Sequence, residues 1–269
     1  MLGFRFGIDS MERRHGMFDL RNRIVAAAAF PLLPLLFVQG KGVRRRTPRF
    51  PDAAGPAEGT VAGAEPALRL LVIGESTVAG IGAATHQTAL TGCVAAALAR
   101  RTGRAVRWRA AGRSGADARQ AAELVATLPD EPADAVVISL GVNDTLRFRP
   151  TALWAADVAR LIDSVRARVG PAPVVLSPVP PMHAFPALPQ PLRAVLGARA
   201  RLLDAALARL PSRLADVAHV PIPVDATPEL FCGDGFHPSE AGYAAIGERL
   251  GEAVAELLIP ILGTRSRDR

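Results

Sequence analysis

The sequence predicts an α/β protein built on a parallel sheet of about five strands with helices on both faces, and three observations predict it. From Leu68 onward, short apolar runs alternate with longer amphipathic stretches, the pattern of a chain that lays down parallel strands and returns over them with helices. The composition, 49% hydrophobic and 21% charged over 269 residues, suits one folded core and excludes a disordered, collagen-like or multi-pass membrane chain. Glycines and small polar residues follow the apolar runs, and open α/β sheets bind their ligands just outside the carboxyl ends of their strands.

In chain order, LRLLVIG at 68–74 is the first strand, followed by a helical stretch, TALTGCVAAALARR, at 88–101. AVRWRAAG at 105–112 precedes the helical ADARQAAELVATL at 116–128, and DAVVISLG at 134–141 precedes TALWAADVARLIDSVRARV at 151–169. APVVLSP at 172–178 leads to LRAVLGARARLLDAALARL at 192–210. A last apolar stretch at 215–223 comes before the closing helix at 239–258. Short runs read as buried parallel strands and the longer ones as helices with one apolar face.

Charge divides the chain. Residues 1–50 carry ten Lys and Arg against three acids, while the remainder carries 22 of each, so the whole net charge of +7 lies in the first fifth. That asymmetry flanks an uncharged apolar run of 15 residues, Ile24 to Val38, and points to a membrane surface contacted through residues 24–46 instead of to nucleic acid. The run is short for a bilayer span, which needs about 20 residues, and Pro31 and Pro34 interrupt it. A short anchor, an interfacial helix, an uncleaved leader-like segment and a helix packed on the body are the readings left open. A cleaved leader fits poorly because QGKGVRRR follows the run without an Ala-x-Ala site, Val38 and Gly40 being only a weak imitation, and the Arg13–Arg14 pair, with the apolar run beginning ten residues later, does not fit a twin-arginine signal. The dense cluster Lys41, Arg44, Arg45 and Arg46 puts the body on the cytoplasmic side, the more so if translation starts at Met17.

Residues 47–67 are rich in Pro, Gly and Ala and read as a linker, so the expected organisation is a membrane-associating segment at 1–46, a linker at 47–67 and a catalytic domain at 68–269. Two cysteines, Cys93 and Cys232, make no disulfide framework or metal motif and read as free or optional thiols, with one bridge between them left open and a packing role expected for Cys232. The glycines at 74, 80 and 82 match neither a dinucleotide nor a P-loop pattern. Oligomeric state is not written in the sequence.

The strand ends carry Gly74-Glu75-Ser76, Gly112-Arg113-Ser114-Gly115, Gly141-Val142-Asn143-Asp144 and, near the end of the chain, Asp234-Gly235-Phe236-His237. A serine in a sharp turn becomes a nucleophile when a base takes its proton, and His237 is the candidate base. Asp234, three residues earlier, can hold one ring nitrogen of His237 while the other faces Ser76. Oxyanion donors would be the backbone N–H of Ser76, that of Gly115 and the side-chain amide of Asn143. Taken singly, each residue has a plainer use: Ser76 as a helix cap, Asn143 as a turn former, His237 as a satisfied polar side chain. Their occurrence together carries the reading. His15, His86, His183 and His219 lack partners at a useful spacing, with His183 held in reserve because it follows a strand.

Those four blocks, GESTVAG at 74–80, AAGRSG at 110–115, GVND at 141–144 and DGFHP at 234–238, resemble the SGNH (GDSL-type) hydrolases in order and spacing across residues 68–258. The resemblance implies a flavodoxin-like three-layer α/β/α sandwich, no metal or organic cofactor, Ser76 as nucleophile with Asp234 and His237, and Gly115 and Asn143 as oxyanion donors. Esterases, lipases, thioesterases and carbohydrate deacetylases make up that family. Glu75 departs from its usual Asp, and Ala110 replaces the asparagine that often opens the second block, which leaves Gly112 as a competitor to Gly115.

The expected activity is hydrolysis of carboxylic esters or thioesters through an acyl-serine, on lipid-derived acyl esters such as lysophospholipids. The alternatives are a carbohydrate O-acetylesterase and a membrane-tethered binding protein that has lost catalysis. The loop from Ser177 to Arg193, with six prolines and with Met182, Phe185 and Leu188, is either a stiff wall of the acyl pocket or a cover for the sheet edge.

Overall fold

The computed structural model describes residues 30–221 and 227–265. Six strands form one sheet: β1 Glu58–Val61, β2 Ala64–Gly74, β3 Arg104–Gly112, β4 Ala135–Ser139, β5 Val174–Leu176 and β6 Val217–His219. Their order across the sheet is β1-β3-β2-β4-β5-β6, with every pair parallel except the edge pair of β1 and β3.

The helices are α1 Leu33–Arg46, α2 Ser76–Ala79, α3 Leu90–Thr102, α4 Ala118–Val125, α5 Val142–Leu146, α6 Thr151–Val169, α7 Leu192–Leu207 and α8 Glu240–Arg265. Successive side chains of a strand point to opposite faces, so each inner strand feeds two cores. Leu71 and Ile73 of β2 join Val136 and Ile138 of β4 under α4, α6 and α7. Leu70 and Val72 join Val106 and Trp108 of β3 and Val137 of β4 under α3 and α8. Burial of one such side chain is worth roughly 1.5–3 kcal/mol, so these two layers, more than helix propensity, hold the strand ends in place. Trp154 of α6, fully buried, also donates its indole N–H to the Leu203 carbonyl of α7 at 3.3 Å.

This three-layer arrangement matches the expected fold, with a sixth strand added. β1 lies inside the stretch read as a linker, pairing Glu58 with Arg109 and Val61 with Val106. The same stretch buries Ala53 and offers the Asp52 carboxylate to the Ser114 hydroxyl at 2.7 Å. Its attachment runs through backbone pairing, one small buried side chain and polar contacts of Asp52 and Glu58, none of which leaves an apolar period to read in the sequence.

At the amino-terminal end, α1 packs one buried residue, Leu36, onto the core, and its Gln39 side chain brackets the Pro-rich loop. It donates to the Gln190 carbonyl at 2.6 Å and accepts from the Leu192 N–H at 3.1 Å. Leu33, Leu35, Phe37 and Val38 remain exposed. Among the described residues no helix is long and apolar enough to cross a membrane. The first part of the apolar run, the Arg13–Arg14 pair and Met17 lie outside the described residues.

The connection from β2 to β3 passes through α3 on one face, and that from β3 back across β2 to β4 passes through α4 on the other. The chain therefore changes face at the carboxyl end of β2, which opens a crevice there. Ser76 is the first helical residue after that strand.

Candidate active site

At the mouth of this crevice the structure lines up three side chains from distant parts of the chain. His237 Nε2 stands 3.0 Å from Ser76 Oγ, and His237 Nδ1 stands 2.6 Å from Asp234 Oδ2. With Nδ1–H donating to the carboxylate, Nε2 is left as the acceptor that faces the serine hydroxyl.

The local sequence explains why Asp234 is fixed. Its Oδ1 accepts the backbone N–H of Phe236 at 2.7 Å and of His237 at 2.8 Å, an Asx-type turn that brings the carboxylate under the imidazole three residues later. The Asp234 side chain is almost wholly buried, that of His237 partly exposed. Burial opposes ionisation of Asp234, yet the hydrogen bonds from the His237 side chain and from the His237 and Phe236 N–H groups hold its carboxyl below the usual range.

Sequence reasoning missed a fourth donor to this carboxylate. The Cys232 thiol lies 3.1 Å from Asp234 Oδ1, and burial together with the neighbouring carboxylate raises its pKa to about 11, so it is a neutral donor and not a nucleophile. Packing alone was expected there, because a spacing of two residues carries no signal of its own. Cys93 is likewise a free thiol.

The two competing glycines of the second block separate clearly. A Cβ on Gly112 would stand 2.2 Å from the Ala79 backbone nitrogen, so this glycine permits the close approach of α2 to β3. Gly115, beyond the end of β3, has φ +79° with open space around it, a left-handed conformation that glycine adopts without strain. Neither the Gly115 nor the Ser76 backbone N–H has a hydrogen-bond partner among the described residues. The Gly115 carbonyl is held by Arg147 Nη2 at 3.0 Å, and Arg147 also pairs with Asp117, the capping residue of α4.

Asn143 is held by Glu75, the residue before Ser76, in a different setting from the one expected. Its amide nitrogen points at the Ala116 carbonyl, 3.1 Å away, and at a Glu75 carboxylate oxygen, so both of its protons meet protein acceptors. Glu75 also accepts the backbone N–H of Val142 at 3.0 Å and of Asn143 at 3.1 Å. Burial raises the Glu75 carboxyl to about 7 against the lowering effect of these donors.

A cavity of about 650 Å³ opens from Ser76 and His237 between the ends of β4 and β5 and the face of α8. Val142, Val179, Phe185, Phe231, Phe236 and Ile246 line it, with Pro178, Pro180 and Pro181 of the Pro-rich loop. Phe185 meets Phe231 and Phe236 edge-on at centroid distances of 5.4 and 5.0 Å. The loop thus forms a wall of the cavity, while its Met182 and Leu188 turn into the core.

His183 packs against Gly197 of α7 and makes no hydrogen bond to the three aligned residues. His219, read as partnerless, pairs through Nε2 with Asp204 Oδ1 at 2.9 Å, a contact between α7 and β6 that no local spacing announces. Among the described residues no cluster of three or more His, Cys, Asp or Glu side chains is placed to hold a metal ion.

Residues 72–245 match the profile of the GDSL-like Lipase/Acylhydrolase family. The chain is 32% identical over 220 residues to a GDSL-like esterase of Mycobacterium tuberculosis, an alignment covering 74% of this chain and 67% of that protein. Among solved structures it is similar to TesA, at 27% identity and a TM-score of 0.55, over 71% of this chain and 99% of that one. Est24, described as a carbohydrate acetylesterase from Sinorhizobium meliloti, shares the fold at 20% identity and a TM-score of 0.52, over 71% of this chain and 99% of its own.

Proposed function

The chain belongs to the GDSL-like Lipase/Acylhydrolase family and is a hydrolase of the esterase type, and on that premise we propose that it cleaves acyl esters or thioesters through an acyl-serine formed at Ser76. The observation that carries this reading is the continuous row Ser76 Oγ, His237 Nε2, His237 Nδ1, Asp234 Oδ2 at the mouth of an apolar cavity.

His237 takes the serine proton as Oγ attacks the carbonyl carbon, and Asp234 stabilises the imidazolium that results. Charge on the carbonyl oxygen is met by the unpartnered N–H groups of Ser76 and Gly115, joined by the Asn143 amide when the oxyanion displaces the Ala116 carbonyl as its acceptor. Collapse of the tetrahedral intermediate expels the alcohol or thiol, which receives the proton from His237. A water molecule then repeats the sequence on the acyl-serine and releases the acid.

The largely apolar lining of the 650 Å³ cavity supports an acyl chain longer than acetyl. Lipid-derived esters such as lysophospholipids fit that chemistry. The membrane contact belongs to the same proposal: α1 exposes Leu33, Leu35, Phe37 and Val38 next to Lys41, Arg44, Arg45 and Arg46, the pairing of apolar and cationic groups that lies on an anionic bilayer. The cytoplasmic leaflet is the side to which that cluster points.

Hydrolysis of p-nitrophenyl esters of two to sixteen carbons by the full chain, beside its Ser76→Ala variant, tests the proposal. Activity that peaks at medium or long chains and falls by about 10⁴-fold or more without the serine is the expected result. A two-carbon optimum would favour a carbohydrate O-acetylesterase, and silence from a folded chain would favour a non-catalytic binding protein.

A further inference from the structure

Glu75 is a carboxylate buried to 2% exposure with no Lys or Arg paired to it among the described residues. Such a group is costly to desolvate unless donors surround it, and here three do. Val142 N–H reaches Oε1, while the backbone N–H and the side-chain amide of Asn143 both reach Oε2.

That grip fixes Asn143 at two points. The second proton of the amide goes to the carbonyl of Ala116, the residue after Gly115, at 3.1 Å. One side chain therefore ties the end of β2 to the start of α5 and, through the amide, to the Gly115 turn.

We infer that Glu75 is the positioning residue of the oxyanion site, holding the Asn143 amide and its distance to the Gly115 turn in register with Ser76. This rests on the reading of Ser76 as nucleophile. Side-chain length matters to it, because a carboxylate one methylene shorter retreats by about 1.5 Å, one carbon–carbon bond. From the same backbone it cannot reach all three donors. A glutamine of the same length brings an NH₂ group against N–H donors and loses part of the grip.

The test is a double-mutant cycle on ester hydrolysis among wild type, Glu75→Gln, Asn143→Ala and the double variant, with Glu75→Asp alongside and thermal melts to show which variants fold. Glu75→Gln is expected to lower kcat by about 10- to 100-fold, up to the lower end of what loss of one oxyanion donor costs, with KM changed by less than about two-fold. In the Asn143→Ala background the same substitution costs nothing further, because the group it positions is gone. Glu75→Asp, which keeps two acceptor oxygens but draws them back from the donors, should also lower kcat, with the same dependence on Asn143.

A second readout does not need catalysis. The side-chain amide resonances of Asn143, identified by their loss in Asn143→Ala, should shift in Glu75→Gln and Glu75→Asp. Unchanged resonances overturn the inference, as does an equal fall in kcat whether or not Asn143 is present. Hydrolysis that survives Ser76→Ala would instead sink the reading of the nucleophile, and the resonances would still decide whether Glu75 holds the amide.

Discussion

Three buried carboxyls, Asp234, Glu75 and Asp144, stand on the strand-end blocks around Ser76, and their surroundings push them in different directions. Donors around Asp234 outweigh its burial and keep it ionised, as a partner for an imidazolium must be. Burial raises Glu75 to about 7, and Asp144, buried and facing Asp117 and Asp157 with only one backbone donor, Ala118, is also raised to about 7 despite Arg147. Between about pH 4 and pH 7 the folded chain keeps a proton on Asp144 that the unfolded chain has released, so this group's contribution is complete at low pH and is lost as pH rises through about 7. His86, lowered by burial, acts in the opposite sense in the same window, and for that reason the comparison must be with a variant. The unfolding free energy of Asp144→Asn should fall less between pH 5 and pH 7 than that of the wild type; equal slopes would mean that Asp144 is not held protonated. Ser76, Asp234 and His237 were legible because the turn signals around them are short-range. Glu75 and the Asp204–His219 pair act through contacts that only the folded chain brings together, and Cys232 through a two-residue spacing that carries no signal of its own.

The inner strands and long helices follow the sequence closely because each feeds a continuous apolar layer, as Leu70 to Ile73 do on alternate faces of β2. Edge elements carry no such pattern. β1 is four residues long and half-exposed, and a Pro- and Gly-rich neighbourhood disguised it as linker. The Pro-rich loop after β5 was open between a pocket wall and a cover for the sheet edge; Pro178 to Pro181 and Phe185 line the cavity, while Met182 and Leu188 fill the core. Truncating the buried Phe185 ring fully would cost about 3–5 kcal/mol, so Phe185→Leu is the better probe of the wall. It should move the chain-length optimum towards longer esters by enlarging the cavity at its side. An unchanged profile from a folded variant would show that the acyl chain does not lie against this loop.

Across the described residues, the basic end of α1 and the proposed catalytic row lie near one another. α1, with its exposed apolar and basic residues, borders a cavity that reaches Gly233 and Asp234, so a bilayer touching α1 would lie close to the active-site loop. Co-sedimentation with vesicles of anionic lipid should fall when Arg44, Arg45 and Arg46 are replaced by glutamine, and should weaken with salt. Binding that ignores both changes would remove the electrostatic part of the proposal. The central claim is narrower than any statement about lipid: Ser76 is activated by His237 and Asp234. Its most direct measurement is labelling of the full chain with an alkyl fluorophosphonate, followed by peptide mapping by mass spectrometry. The account predicts one adduct on the Ser76 peptide, absent in Ser76→Ala and formed far more slowly in His237→Ala. A folded protein that takes no label, or takes it elsewhere, would contradict it.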